Sequence, residues 1–255
     1  MIELNKIYNE DCLETMKQIE DNSIDMIFTD PPYGHNNNNG DMASRWEAIF
    51  EGKKDNYIPE DDWRPILNDG IEANELIQKC FKQFQRILKQ GSCCCCCCGG
   101  PDPQFARWSL WLDEAFNGGF KHMIIWDKGP MGMGHHYRRS YETILVAQKK
   151  GASCKWYAES KDIENVIRPG MYGINKIIPQ KDQHPTEKVP QLAGFFMRLH
   201  SKEGDLIYDP FIGSGSTVEA AITLKRNYIG SEIDKTFYQL AEKRINIYTS
   251  QKTLF

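Results

Sequence analysis

No apolar stretch in these 255 residues approaches the ~20 that a membrane-spanning helix needs. The N-terminus also lacks the basic-then-apolar layout of a secretory signal, so a cytoplasmic protein with no membrane partner is expected. A phosphate-binding P-loop is absent, because no lysine precedes Ser216 or Thr217 in the required pattern. Histidines number six, and the adjacent pair His135-His136 has no acid or thiol close by, as expected of polar loop residues rather than metal ligands. Excess positive charge is missing too, with a net charge of −4. That balance argues only weakly against a nucleic-acid partner, so the distribution of the charge matters.

Cysteine is plentiful but oddly placed. Six of the nine form the run Cys93 to Cys98. Gly91 is read as the end of a helix over about Ala73–Lys89, and Gly99-Gly100-Pro101 closes the run, so the cysteines form a buried strand of small hydrophobes. Successive thiols on a strand point to opposite faces, and those on one face lie about 6–7 Å apart. They cannot surround one tetrahedral zinc, and no metal site is expected.

Asp30-Pro31-Pro32-Tyr33 is the most informative tetrapeptide. It follows the apolar run Ile24–Thr29, and in an open α/β sheet ligands bind beyond the carboxyl ends of strands. Asp30 accepts hydrogen bonds. Pro31 and Pro32 cannot donate, but their carbonyls accept. Tyr33 offers a flat ring for stacking. Acceptors beside a stacking platform suit the exocyclic amino group of a nucleobase, although a proline-rich turn closing a core strand is the bland alternative.

A second motif breaks the tie. Gly204–Asp209 reads as a strand, Pro210–Gly215 as a glycine turn, and Ser216 onward as a helix. Gly213 and Gly215 permit close backbone approach, and the helix start favours a carboxylate. The next strand, from Asn227, reaches Glu232, 17 residues beyond Gly215, where a Rossmann-like site holds ribose hydroxyls.

These residues resemble the amino-methyltransferases of DNA, which methylate adenine N6 or cytosine N4 with S-adenosyl-L-methionine. The order, with the Asp-Pro-Pro-Tyr motif before the glycine loop, resembles the circularly permuted β class. The resemblance spans nearly the whole chain. It implies Asp30, Pro31, Pro32 and Tyr33 as catalytic residues. For the cofactor it implies Asp11, Asp30, Lys188, Asp209, Phe211, Gly213, Ser214, Gly215, Thr217 and Glu232. Lys188 closes the family-like segment His184-Pro185-Thr186-Glu187-Lys188, although Val189 intervenes before Pro190; Ser216 stands where threonine is commoner.

The expected fold is α/β, a doubly wound, mostly parallel seven-stranded Rossmann-like sheet in one methyltransferase domain over 1–255. Residues 34–70 form a polar insert and candidate active-site loop. Residues 129–183 form a candidate target-recognition region. Residues 138–188 carry ten Lys/Arg against six Asp/Glu, which leaves −8 elsewhere. His135, His136, Arg138 and Arg139 are the candidate DNA contacts, with pairing of one arginine to Glu142 as the alternative. A basic face that is simply solvated would give the same count.

The resemblance implies double-stranded DNA as partner, in a bacterial or phage-encoded protein. A homodimer and a restriction endonuclease partner stay open. Cys12, Cys80 and Cys154 lack a Pro-Cys motif, so the cysteine nucleophile of carbon methylation is not indicated. Adenine N6 is favoured over cytosine N4 because the acid-first form of the motif resembles that of adenine enzymes more than the serine-first form of many cytosine enzymes. RNA or protein amide methylation, or an inactive DNA-binding accessory, are the alternatives; intact Asp30, Tyr33, Gly213, Gly215 and Glu232 argue against the last.

Overall fold

The computed structural model describes residues 2–33, 72–98, 103–129, 136, 140–174 and 188–251. The chain divides into two compact units, one of Met1–Pro31 with Gln78–Phe255 and one of Pro32–Ile77. The candidate insert at 34–70 lies outside the described residues. In the smaller unit, Pro32 and Tyr33 are half-buried, and the start of a helix runs on from Glu72.

The larger unit is an α/β sheet. Its strands are β1 (Lys6–Tyr8), β2 (Ile24–Thr29), β3 (Leu88–Cys97), β4 (Phe120–Asp127), β5 (Tyr141–Gln148), β6 (Val166–Ile167), β7 (Leu206–Asp209) and β8 (Asn227–Ser231). The helices are α1 (Cys12–Gln18), α2 (Glu72–Ile87), α3 (Pro103–Ala115), α4 (Pro190–His200), α5 (Ser216–Thr223) and α6 (Lys235–Gln251). Across the sheet the order is β1-β8-β7-β2-β3-β5-β4-β6. From β1 to β3 every pair is parallel, and β5 runs antiparallel to both β3 and β4. The seven expected strands are present, and the two-residue β6 adds an eighth beside β4.

All six residues of β2 are buried, which requires cover on both faces of the sheet. On one side Met26, Phe28, Cys95 and Cys97 join a core with residues of α4, α5 and α6. The rings of Phe28 and Phe196 lie 5.7 Å apart there. The alternate residues Ile27, Cys94 and Cys96 are buried outside that cluster, so the cysteine run does behave as a two-faced core strand. Helix α2 buries Cys80, Phe81, Phe84 and Ile87, a stripe at helical spacing. Phe81 meets Trp108 of α3 edge to face at 6.4 Å. Among the described residues no helix is long and apolar enough to cross a membrane.

Gly91 differs from its expected role. The helix stops at Ile87, and Gly91 lies inside β3 with φ +80°. The register between β2 and β3 jumps there, from Ile24 opposite Leu88 to Met26 opposite Cys93. A side chain at Gly91 would meet the Ser153 carbonyl oxygen at 2.3 Å, so glycine is required by the segment that follows β5. That segment is pinned by the Gly91 N–H to the Lys149 carbonyl and by the Lys155 N–H to the Gly91 carbonyl, at 2.9 and 3.0 Å.

Asp25 anchors the opposite end of β2 from the Asp30 motif. Its carboxylate pairs with Lys89 at 2.7 Å and Lys155 at 2.9 Å, and accepts the Leu206 N–H at 3.1 Å. Burial pushes its pKa up, but Lys89 and Lys155 outweigh that and hold it below the usual range. The stabilisation is thus present above the unfolded carboxylate pKa and lost as pH falls through the lower folded value. Asp25→Ala should destabilise the protein by roughly 2–3 kcal/mol, less than for a fully buried pair because Lys89 is part-exposed. Denaturant titration at neutral pH measures this. An unchanged midpoint would remove Asp25 from the list of structural anchors.

Candidate active site

Strands β2 and β7 are adjacent and parallel, with Ile27 opposite Tyr208, so their carboxyl ends lie side by side. The next residues in each chain are the two expected motifs. Thr29 joins them by donating its hydroxyl to Asp209 at 2.8 Å, across 180 residues of sequence. Asp209 also accepts the Phe211 N–H at 3.0 Å. Burial raises its pKa to about 6, despite opposing hydrogen bonds from Thr217, Phe211 and Thr29. This acid orders the turn from within.

The turn is shaped by glycine. Gly215 has φ +90° and caps α5, and a side chain there would press on Ala241 of α6 at 3.1 Å. Ser214 and Thr217 are buried, while Phe211 and Gly213 are half-buried. Glu232, just past β8, accepts the Gly213 N–H at 2.9 Å and the Asp234 N–H at 2.8 Å. Burial lifts its pKa to about 7, more than these two N–H donors lower it. A desolvated carboxylate with lone pairs beyond two backbone donors can still take hydroxyl hydrogens. That chemistry fits a ribose.

Asp11 lies at the same end of the sheet, three residues beyond β1. Its side chain caps α1 by accepting the Leu13 N–H at 2.8 Å, a local structural task. The neighbouring Asn9 amide donates to the Glu232 carbonyl at 2.8 Å, which ties the two strand ends together.

Asp30 is where the charges gather. Lys188 is buried, and its Nζ lies 2.7 Å from Asp30 Oδ2 and 3.0 Å from Glu142 Oε2. Lys128 approaches the other Glu142 oxygen at 2.9 Å. Burial pulls Lys188 down, but the Asp30 and Glu142 carboxylates dominate and hold it well above the ordinary lysine range. Burial likewise opposes ionisation of Glu142, yet Lys188 and Lys128 bring its pKa to about 2. Lys188, expected only among the cofactor residues, therefore acts first as the counter-ion of Asp30.

Sequence inspection missed Thr29 and Lys128, and considered Glu142 only as an arginine partner. Glu142 instead pairs with Lys128 and Lys188. An acid at the head of the apolar run Thr143–Ala147 was the available signal, but its partners come from β4's end and from the start of α4. Of the candidate DNA contacts, His136 is exposed with φ 59°. His135, Arg138 and Arg139 lie outside the described residues.

A family profile described as DNA methylase matches residues 24–243. The chain is similar to the Type II methyltransferase M.HinfI of Haemophilus influenzae, 26% identical, with 95% of this chain and 68% of that protein covered. It is also similar to the Type II methyltransferase M2.DpnII of Streptococcus pneumoniae, 26% identical, with 94% and 88% covered. Among solved structures, the M1.HpyAVI–SAM complex matches with a TM-score of 0.60 at 26% identity, covering 94% of this chain and 98% of that one. The cytosine-N4-specific PvuII DNA methyltransferase shares the fold, with a TM-score of 0.67 at 16% identity and coverage of 98% and 93%.

Proposed function

The chain belongs to the DNA methylase family, and from that premise we propose that it methylates adenine N6 in double-stranded DNA at a site opened by base flipping. The observation that carries this reading is the junction of Asp30 with the glycine turn through Thr29 and Asp209 at adjacent strand ends. The acid-first motif, preceding the glycine loop, supports adenine and the permuted β class. Cytosine N4 is the second reading, since the same acceptors suit either amino group.

S-adenosyl-L-methionine supplies an electrophilic methyl on its sulfonium. Glu232 would hold the ribose hydroxyls, Asp11 would lie towards the adenine, and residues Phe211, Gly213, Ser214, Gly215 and Thr217 would line the turn. An exocyclic nitrogen conjugated with its ring is a poor nucleophile. Asp30 and the Pro31 carbonyl accept its hydrogens, which localises the lone pair on nitrogen. Lys188 pairs with Asp30 and holds its carboxylate in place for that task. Tyr33 stacks the flipped base, and Pro32 stiffens the loop between them. Arg138, Arg139, His135 and His136 contact the duplex.

Incubation with labelled cofactor and DNA, followed by digestion to nucleosides, tests the proposal. Label in N6-methyl-2′-deoxyadenosine supports it, label in N4-methyl-2′-deoxycytidine favours the second reading, and none in DNA overturns both.

Glu232 also gives a pH prediction. Because its folded pKa is raised to about 7, the free protein disfavours the anion, and its contribution to stability falls as pH rises from the ordinary carboxylate pKa to about 7. Ribose hydroxyls favour the anion, so cofactor affinity should weaken as pH falls below about 7 and protons are taken up by Glu232. Calorimetry at two pH values either side of 7 should show this in the parent and not in Glu232→Gln. Equal pH dependence in both proteins would exclude Glu232 as the ribose acid.

A further inference from the structure

Midway along β3, side chains from three parts of the chain converge. The Cys93 and Cys154 sulfurs are 3.6 Å apart. These two thiols and a ring nitrogen of His200 all lie within 4.8 Å of one another. Cys93 is in β3, Cys154 is in the segment after β5, and His200 ends α4. We propose that Cys93, Cys154 and His200 form a binding site for one thiophilic divalent ion of the zinc type.

The donor chemistry selects the ion. Two thiolates and an imidazole are soft and borderline ligands, with no carboxylate in the set, which favours zinc over magnesium or calcium. Ligand bonds of about 2.3 Å to sulfur at tetrahedral angles place two thiolates about 3.8 Å apart. The observed 3.6 Å between the two sulfurs is close to that spacing.

The surroundings orient the ligands. His200 Nδ1 lies 3.2 Å from the Lys155 carbonyl, and donation there leaves the lone pair on Nε2. A ligating histidine is commonly held by such a backbone carbonyl. Trp156 packs edge to face on the imidazole at 5.4 Å. Cys93 and His200 are buried and Cys154 is exposed, so the ion enters from the Cys154 side and water takes the fourth position. Binding releases the thiol protons to solvent.

Four residues of strand, about 13 Å, separate Cys93 from Cys97, which lies within the electrostatic reach of Asp30 and Lys188. The ion is thus remote from methyl transfer. Its role is to clamp the segment around Gly91 and Ser153 onto the end of α4. The cysteine run cannot supply a tetrahedral set by itself; Cys93 acquires its partners from outside the run.

Reduced, chelator-stripped full-length protein titrated with zinc(II) against a chromophoric chelator should bind one equivalent and melt at a higher temperature. Cobalt(II) in its place should give a thiolate charge-transfer band. Cys154→Ser, at an exposed position that tolerates the change, should weaken binding by about tenfold or more and diminish the band by removing one of two thiolates. His200→Gln should weaken binding similarly while the band of the two remaining thiolates persists at saturation. Cys80→Ser, which alters the separate Cys12–Cys80 contact at 3.8 Å, should leave the stoichiometry unchanged. Failure of the reduced parent to bind zinc, or undiminished binding by Cys154→Ser, would overturn the site.

Discussion

Replacing Asp30 by alanine is expected to lower the single-turnover rate of methyl transfer by about 10³-fold while leaving cofactor affinity within about tenfold. The carboxylate accepts hydrogens of an amino group whose charge changes as the new bond forms, so its contribution is largest in the transition state. The protein should remain folded, because Lys188 keeps Glu142 as a partner 3.0 Å away. Rapid-quench assays with saturating DNA measure the rate, and calorimetry measures cofactor binding. Retention of more than about a tenth of the parent rate would remove Asp30 from the acceptor role. Loss of cofactor binding together with rate would make it a binding residue instead.

Lys188→Met should have the largest effect on stability. It leaves Asp30 and Glu142 near one another in a buried setting without their shared cation. Removing one member of such a cluster costs about 3–5 kcal/mol, or roughly 2–4 °C of melting temperature per kcal/mol in a chain of this size. The pH dependence is diagnostic. Glu142 titrates at about 2, below its ordinary range, so it stabilises the fold above the unfolded carboxylate pKa and loses that effect as pH falls through about 2. Lys188, raised above the lysine range, stabilises below its unfolded pKa and stops doing so as pH rises through the folded value.

In the variant both contributions shrink, and part of the lost stability should return in mild acid as the carboxylates protonate. Adding Glu142→Gln should recover stability at neutral pH by removing one of the two negative charges. It should not restore full turnover, because Asp30 still lacks its cation. Thermal melts of the single and double variants across pH, with matched rate assays, separate these effects. A single variant that melts with the parent would show that the cluster contributes nothing net.

Much of this was legible along the chain because it is local. Strand periodicity, the proline-blocked end of β2 and the glycine turn before α5 depend on neighbouring residues and on backbone freedom, so they announce themselves in sequence. Hence the alternating α/β order, with one strand ending at Asp30 and another at Asp209, was anticipated. The cysteine run also read correctly as a core strand, since burial and alternation do not depend on which small hydrophobe is used.

Only the tertiary structure decided which charges neutralise one another. Glu142 reaches Lys188, the counter-ion of Asp30, because β5 turns back antiparallel to β3 and brings its first residues to the same end of the sheet, where Lys128 also pairs with Glu142. The residues flanking each of them give no sign of that return. Gly91 shows the same limit: it was read as a helix end, yet its left-handed backbone lies inside β3 and serves a close approach by Ser153. The physical reason is common to both cases. Ion pairs and steric approaches depend on distance in space, and a mixed sheet brings together side chains that sequence keeps far apart.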